Sequence, residues 1–289
     1  MIVGLIMLYV CATPIGNLGD ISLRVLETLK SVDVIAAEDT RQTIKLLNHY
    51  DIKKPMVAYH EHNRYEMTPV LVERMINGED IAVVTDAGTP AISDPGEDLV
   101  KACIEAGVEV TSLPGATAFT TALTLSGMNA RRFTFEGFLP KDKKEQKAVL
   151  ERFRDTTVTT VFYEAPHRLV KTLGVLTEAA VEAGGNRAVT VCKELTKKHE
   201  QALQFESLSD AAEHYQKNEP KGEFVIVVEG RDAFEIEAEE QKAWSDMDLK
   251  EHMEIYLSQG MDKKEAMKCV AKDRGVSKRD IYRELLEKE

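Results

Sequence analysis

Side chains able to move a proton or oppose a charge gather at the ends of several apolar runs in this sequence. Glu38 and Asp39 close one run, His60 and His62 lie in HEHNR, and Glu164, His167 and Arg168 share the string FYEAPHR. Two adjacent carboxylates can push one pKa towards neutrality, so Glu38 with Asp39 is the preferred acid/base pair. Arg41 stands two residues beyond Asp39, as a cation that could polarise an acceptor oxygen or meet a phosphate. Plainer roles compete for each. Asp39 or Thr40 suits the cap of a helix RQTIKLLNHY. The two-residue spacing of the histidines suits surface polarity, and Pro166 at a first helical turn would leave His167 and Arg168 merely exposed there.

The other chemistry-bearing stretches are turns of small residues: ATPIGNLGD, TDAGTPAISDPG and LPGATAF. Such loops let a ligand approach backbone N–H and C=O groups closely, which suits adenine and carboxylate recognition. No GxGxxG follows a strand-like run and no GxxxxGK[ST] occurs, so a pyrophosphate-bearing cofactor is disfavoured. No cluster of side chains has the spacing of metal ligands.

The elements that must hold these loops are legible as apolar runs: LYVCA, VDVIAAE, IAVVTDA and VEVTSLP, then TTVTTVFY, RAVTVCKEL and EFVIVVEG. They alternate with helical patterns and do not alternate internally with polar residues. That predicts an α/β fold with strands covered on both faces, largely parallel at least in the first half. The Arg- and Lys-rich stretch Asn129 to Lys147 breaks the rhythm, which places a boundary between Leu125 and Phe138. The resulting division is 7–125 and 126–232 for two α/β domains, 233–245 for an acidic solvated linker and 246–289 for a tail of helix-turn-helix pattern. Gly260 and Gly275 can end the first two tail helices, with Asp262 and Ser277 at N-cap positions.

Composition bounds the function. The chain has 289 residues, 43% of them hydrophobic and 30% charged, which excludes a disordered or fibrous class. The apolar start MIVGLIMLYVCA lacks a basic flank and runs into a Thr-Pro loop, so neither export nor a membrane span is expected and the protein is expected in the cytoplasm. The four scattered cysteines read as free thiols. A net charge of −12 argues against a uniformly basic surface, so any nucleic acid must meet a local patch such as Arg131 to Arg154.

The strings ATPIGNLGD, AAEDTR, TDAGTPAISDPG, LPGATAF, FYEAPHR, KELTKKHE and KGEF, in this order along nearly the whole chain, resemble the tetrapyrrole methylase family. EDTR, DAGTPAISDPG, YEAPHR and ELTKKHE resemble its ribosomal RNA branch, whereas a short PGA loop is shared with the porphyrin and corrin methylases. The leading MIVGLI departs from the family pattern, which begins near Met7. The resemblance implies two α/β domains of the class III methyltransferase type, with a small helical domain at the C-terminus and usually in a homodimer, holding S-adenosylmethionine in the cleft between the two. It implies that Pro14 lines this cleft, that Asp86, Ala87, Gly88, Pro90 and Ile92 hold the methionine portion and ribose, and that Thr117 and Ala118 lie beside them. Tyr163, Gly222, Glu223 and Phe224 would cover the adenine. Arg41, Lys141, Lys143, Lys144, Arg168, Lys197 and Lys198 would meet RNA. The implied activity is 2′-O-methylation of a cytidine in the decoding region of 16S ribosomal RNA, within the small subunit, with Glu38, Asp39 and Arg41 as the catalytic candidates. Methylation of a small tetrapyrrole and a non-catalytic role in RNA assembly are the alternatives.

Overall fold

A computed structural model of the chain describes residues 7–287, so the leading MIVGLI and the last two residues of the tail lie outside it. The first sheet contains β1 (Met7–Cys11), β2 (Val34–Ala37), β3 (Met56–Ala58), β4 (Ile81–Val84) and β5 (Glu109–Leu113). They are ordered β3-β2-β4-β1-β5, with every pairing parallel. Four helices connect them: α1 (Leu23–Ser31), α2 (Thr40–His49), α3 (Arg64–Ile76) and α4 (Gly96–Glu105). Crossovers of fixed hand put helices on opposite faces when the chain moves in opposite directions along a sheet. The core clusters agree. Val25, Leu29 and Leu47 of α1 and α2 pack with Ile35, Ala37, Ala82 and Val84, whereas Leu71, Met75, Leu99 and Cys103 of α3 and α4 pack with Leu8, Val34, Ala36 and Val83. With both faces covered, the strand runs VIAA and IAVV are buried at every position.

Strand order also fixes where a ligand can enter. From β1 the chain leaves towards β2, and from the adjacent β4 it leaves towards β5, in the opposite direction. The loops after β1 and β4 therefore diverge to opposite faces and open a crevice beyond their carboxyl ends.

Helix α5 (Ala118–Ser126) leads out of the first sheet, and the second follows with β6 (Phe133–Phe138), α6 (Lys143–Asp155), β7 (Thr159–Glu164) and α7 (Pro166–Glu182). It is completed by β8 (Val189–Lys193), β9 (Gln201–Phe205), α8 (Leu208–Lys217) and β10 (Phe224–Val228), in the order β6-β7-β10-β8-β9. Only β6 and β7 pair in parallel; the other three pairings are antiparallel. Phe224, Ile226 and Val228 of β10 face α7 and α8, while Val225 and Val227 face Ala122 and Leu123 of α5. Helix α5 thus ties the second sheet to the first. In β6 the register slips between Phe135 and Gly137. Gly137 has φ +64°, and a Cβ there would meet Ser93 Oγ at 3.0 Å, so the bulge depends on glycine.

The two sheets form one compact unit, which runs to Arg154 and from Val158 to Glu229; Asp155–Thr157 and the chain from Gly230 onward form a second. Within the second lie α9 (Ala233–Asp246), α10 (Leu249–Ser258), α11 (Lys263–Asp273) and α12 (Lys278–Glu287). The stretch expected as an acidic linker is thus a helix, capped by Asp232, whose side chain accepts from Phe234 N at 2.7 Å. Ala, Glu, Gln and Lys are good helix formers, and acidic composition alone does not separate a solvated helix from a linker. Cys11, Cys103 and Cys192 are buried, Cys269 is half-buried, and none is bridged. Among the described residues no helix is long and apolar enough to cross a membrane.

In this second unit, the buried His252 ring stacks on Trp244 with centroids 4.3 Å apart. Its Nδ1 accepts from Arg274 Nε at 3.2 Å, so the neutral ring carries its proton on Nε2, 3.2 Å from Asp273 Oδ2. Burial lowers the His252 pKa below 6.5 and Arg274 adds to this, while Asp273 opposes it. The folded pKa being depressed, the stability that the neutral ring confers is present above the unfolded value of about 6.5 and is lost as pH falls through the folded one. Ring-proton NMR is expected to give His252 a midpoint below that of a free histidine, with these helices melting at lower temperature in acid. A midpoint at or above the free value contradicts this packing.

Candidate functional site

The crevice is built by loops at the carboxyl ends of the strands, with a contribution from the second sheet. Thr13 and Gly88 exchange backbone hydrogen bonds of 2.9 and 3.1 Å, and Thr13 Oγ1 donates to Thr85 O at 3.1 Å, so the loops after β1 and β4 are locked together. Thr89 Oγ1 lies 2.9 Å from Thr117 Oγ1 and donates to Ala116 O at 3.2 Å, which joins the loop after β5. From the second sheet, Tyr163 Oη accepts from Phe119 N at 3.3 Å. The loop after β4 is held tightly: the Asp94 carboxylate accepts from Ala91 N, Ile92 N and Gly96 N at 3.0, 3.2 and 2.8 Å, and Ala91 and Ser93 both have φ +66°.

These loops enclose a cleft of about 470 Å³, within the range of small-ligand sites. Of the expected cofactor residues, Asp86, Ala87, Gly88, Ile92, Thr117, Ala118, Tyr163, Glu223 and Phe224 line it. Three do not. Pro14 lines an adjoining hollow, Pro90 is buried within the loop after β4, and Gly222 supports the wall without lining it. Gly222 has φ +93°, and a Cβ there would meet Glu194 Oε1 at 2.5 Å, so glycine is needed for Glu194 to reach Glu223 N, 3.0 Å away. Sequence reasoning did not single out Thr85, Ser93, Asp94, Phe138 and Leu195 as wall residues. The first three lie inside the string TDAGTPAISDPG and were legible as part of it. Phe138, half exposed and edge-on to Tyr163 at 5.7 Å, carried no such signal.

Glu38 and Asp39 do not share a site. Glu38 Oε2 accepts from Thr85 Oγ1 at 2.5 Å and from Asp86 N at 3.2 Å, facing the cleft. The Asp39 carboxylate instead caps α2 through Arg41 N at 2.8 Å and grips the Arg41 guanidinium at 2.8 and 3.0 Å. These contacts with Arg41 hold the Asp39 carboxyl down at about 2, too acidic for a base working near neutrality. The carboxylate that faces Glu38 is Asp86, whose pKa is raised first by desolvation and next by the Glu38 charge. Asp86 Oδ1 accepts from Asp39 N at 3.1 Å. Neither His60, His62 nor His167 lines the cleft.

The expected RNA-facing cations divide into two groups. Arg41 is 87% exposed even while paired with Asp39, and Lys141, Lys143, Lys144 and Lys198 are exposed. Arg168 is not a free cation: its Nε lies 3.5 Å from the buried Glu164 carboxylate and its guanidinium donates to Leu139 O. Lys197 is held at 3.0 Å from Glu194 Oε1 and 2.7 Å from Glu223 Oε2. Among the described residues no group of three or more His, Cys, Asp or Glu is placed to hold a metal ion.

A crevice at the switch point of a parallel sheet, roofed by a second mixed sheet and lacking a phosphate cradle, defines a methylase-type α/β architecture. The model of the Tetrapyrrole (Corrin/Porphyrin) Methylases matches residues 7–212, and the chain belongs to this family. Its relatives include proteins named ribosomal RNA small subunit methyltransferase I. That of Halalkalibacterium halodurans is 48% identical over 95% of this chain and 93% of its own length. That of Bacillus subtilis is 46% identical over 95% and 92%, and that of Synechocystis 43% over 98% of each. Solved structures share the fold. Diphthine synthase superposes with a TM-score of 0.61 at 15% identity, over 78% of this chain and 89% of its own. Uroporphyrin-III C-methyl transferase of Thermus thermophilus, complexed with S-adenyl homocysteine, does so with 0.56 at 18%, over 77% and 97%.

Proposed function

We propose that this protein transfers the methyl group of S-adenosylmethionine to the 2′-hydroxyl of a cytidine in the decoding region of 16S ribosomal RNA, acting on the small subunit as a cytoplasmic homodimer. The observation that carries this reading is the pairing of Glu38 with Asp86 in a cleft whose other walls are mainly apolar. A sulfonium and an ammonium need carboxylates, and adenine needs apolar walls and backbone groups; Asp86, Glu38, Ile92, Tyr163, Phe224 and Val225 supply that set. The relatives' names, and the S-adenyl homocysteine complex of the Thermus enzyme, point to the same donor and an RNA acceptor.

S-adenosylmethionine, when bound, supplies an electrophilic methyl group. Ala87, Gly88, Ile92, Thr117 and Ala118 would hold its amino-acid and ribose portions, and Tyr163, Glu223 and Phe224 would flank the adenine. A ribose hydroxyl is a weak nucleophile until its proton is taken. Asp86 accepts that proton, with its carboxyl pushed up by desolvation and the Glu38 charge. Glu38 is fixed by Thr85 Oγ1 and Asp86 N and keeps Asp86 basic, beside the place where acceptor oxygen and methyl group would have to be in line. Exposed Lys141, Lys143, Lys144 and Lys198 meet the RNA backbone, with Phe138 beside the cleft as an apolar surface for a base.

Labelled S-adenosylmethionine, incubated with the protein and small subunits that lack the modification, is expected to label the RNA, while uroporphyrinogen in the same buffer stays unlabelled. Label in the tetrapyrrole alone overturns the RNA reading. No label in either favours an assembly factor without turnover.

A further inference from the structure

We infer that the hollow beside the cleft seats the acceptor nucleotide, with the ammonium of Lys45 on a backbone phosphate; this rests on the RNA-methylation reading. The hollow, about 520 Å³, is walled by the loop after β1, by α2 and by the loop after β8. It meets the cofactor cleft along Ile15, Thr85, Asp86, Ala87 and Glu223, which line both. A nucleotide seated there presents its ribose to Asp86 from one side while the donor occupies the other. Methyl transfer needs the acceptor oxygen, the methyl carbon and the sulfur in line, so the ribose hydroxyl would meet the donor at the edge the two spaces share, with Asp86 beside the oxygen to take its proton.

The charges in the hollow select its occupant. Lys197 on one wall is already neutralised by Glu194 and Glu223. Lys45 on the α2 wall is exposed and its Nζ donates to the neutral Gln42 Oε1 at 2.9 Å; its charge acts on Asp39, but among the described residues no carboxylate comes close enough to form an ion pair with it. An ammonium held by a neutral amide can exchange that partner for a phosphate oxygen with net gain. Arg41, one turn earlier on α2, stays clasped by Asp39. Pro14 and the 40% exposed Leu18 line the same hollow and give an apolar surface for the base. The Leu18 carbonyl accepts from Tyr50 Oη at 2.5 Å, which pins this loop to the residue that ends α2. Beside the Asp86 and Glu223 carboxylates, the hollow thus offers a nucleotide one cation without an ion-pair partner and one apolar face, which an unstacked nucleotide can use.

The test compares the wild type with Lys45→Ala and Lys45→Arg, measuring methylation of small subunits at several salt concentrations and S-adenosylhomocysteine binding by calorimetry. Lys45→Ala is expected to raise KM for the subunits about 10-fold and to lower the slope of log KM against log salt by about one unit. kcat and S-adenosylhomocysteine affinity are expected to stay unchanged, and Lys45→Arg to recover most of the KM. Unaltered KM and salt slope in Lys45→Ala overturn the assignment, as does a loss of S-adenosylhomocysteine affinity. A wild type that labels no RNA overturns the function reading instead, before any variant is compared.

Discussion

Replacing Asp86 with asparagine is expected to lower turnover about 10²- to 10⁴-fold at saturating donor, the range that removal of a general base produces. Asparagine keeps the shape and can still accept from Asp39 N, the 3.1 Å bond that Asp86 Oδ1 makes, so the fold should survive while the proton acceptor is lost. Cofactor affinity should also fall, because a carboxylate is removed from the cleft wall. The companion change Glu38→Gln separates charge from shape. Glutamine can still accept from Thr85 Oγ1 and Asp86 N, yet it no longer raises the Asp86 pKa through its charge. With the Asp86 pKa lowered, the base stays ionised at lower pH, so the acid limb of the pH–rate profile should move to lower pH in Glu38→Gln. A limb that stays in place, or Asp86→Asn at wild-type turnover, contradicts the Glu38–Asp86 assignment.

The second large effect falls on stability. Glu164 is 1% exposed and accepts from Thr172 Oγ1 at 2.6 Å and Ala165 N at 2.8 Å, with Arg168 as its paired cation. Arg168→Met leaves a buried carboxylate without its counter-charge and the Leu139 carbonyl without its donor. Breaking a buried pair in this way costs about 3 kcal/mol, or roughly 6–12 °C in melting temperature for a unit of this size. The variant should melt early and lose RNA and cofactor binding together when warmed. A normal melting temperature with a selective loss of RNA methylation would instead return Arg168 to the RNA-facing group.

The difference between the expected and observed roles of these residues has a physical origin. The strands were legible because runs such as VIAA and FVIVV are buried on both faces and carry no polar alternation. The tail helices were legible from caps: Asp262 accepts from Lys264 N and Glu265 N, and Gly260 and Gly275 adopt positive φ at the helix ends. Side-chain partners across the sheet were not. Ala37 pairs with Val84, so the next residues, Glu38 and Thr85, come together from 47 positions apart, while Asp39, adjacent in sequence, turns away to cap α2. Arg168 meets Leu139 across 29 positions, where the residue after β6 packs with Leu169 and Leu173 of α7. The positive φ of Ala91 and Ser93, neither of them glycine, follows from the Asp94 carboxylate gathering three backbone N–H groups, an arrangement that no residue type announces.

Digesting small-subunit RNA labelled by this protein to nucleosides, followed by mass spectrometry, identifies the nucleoside that carries the methyl group. The expected product is 2′-O-methylcytidine, with the methyl on the ribose and the yield collapsing in Asp86→Asn. A methyl group on a base, or on the ribose of another nucleoside, would contradict it.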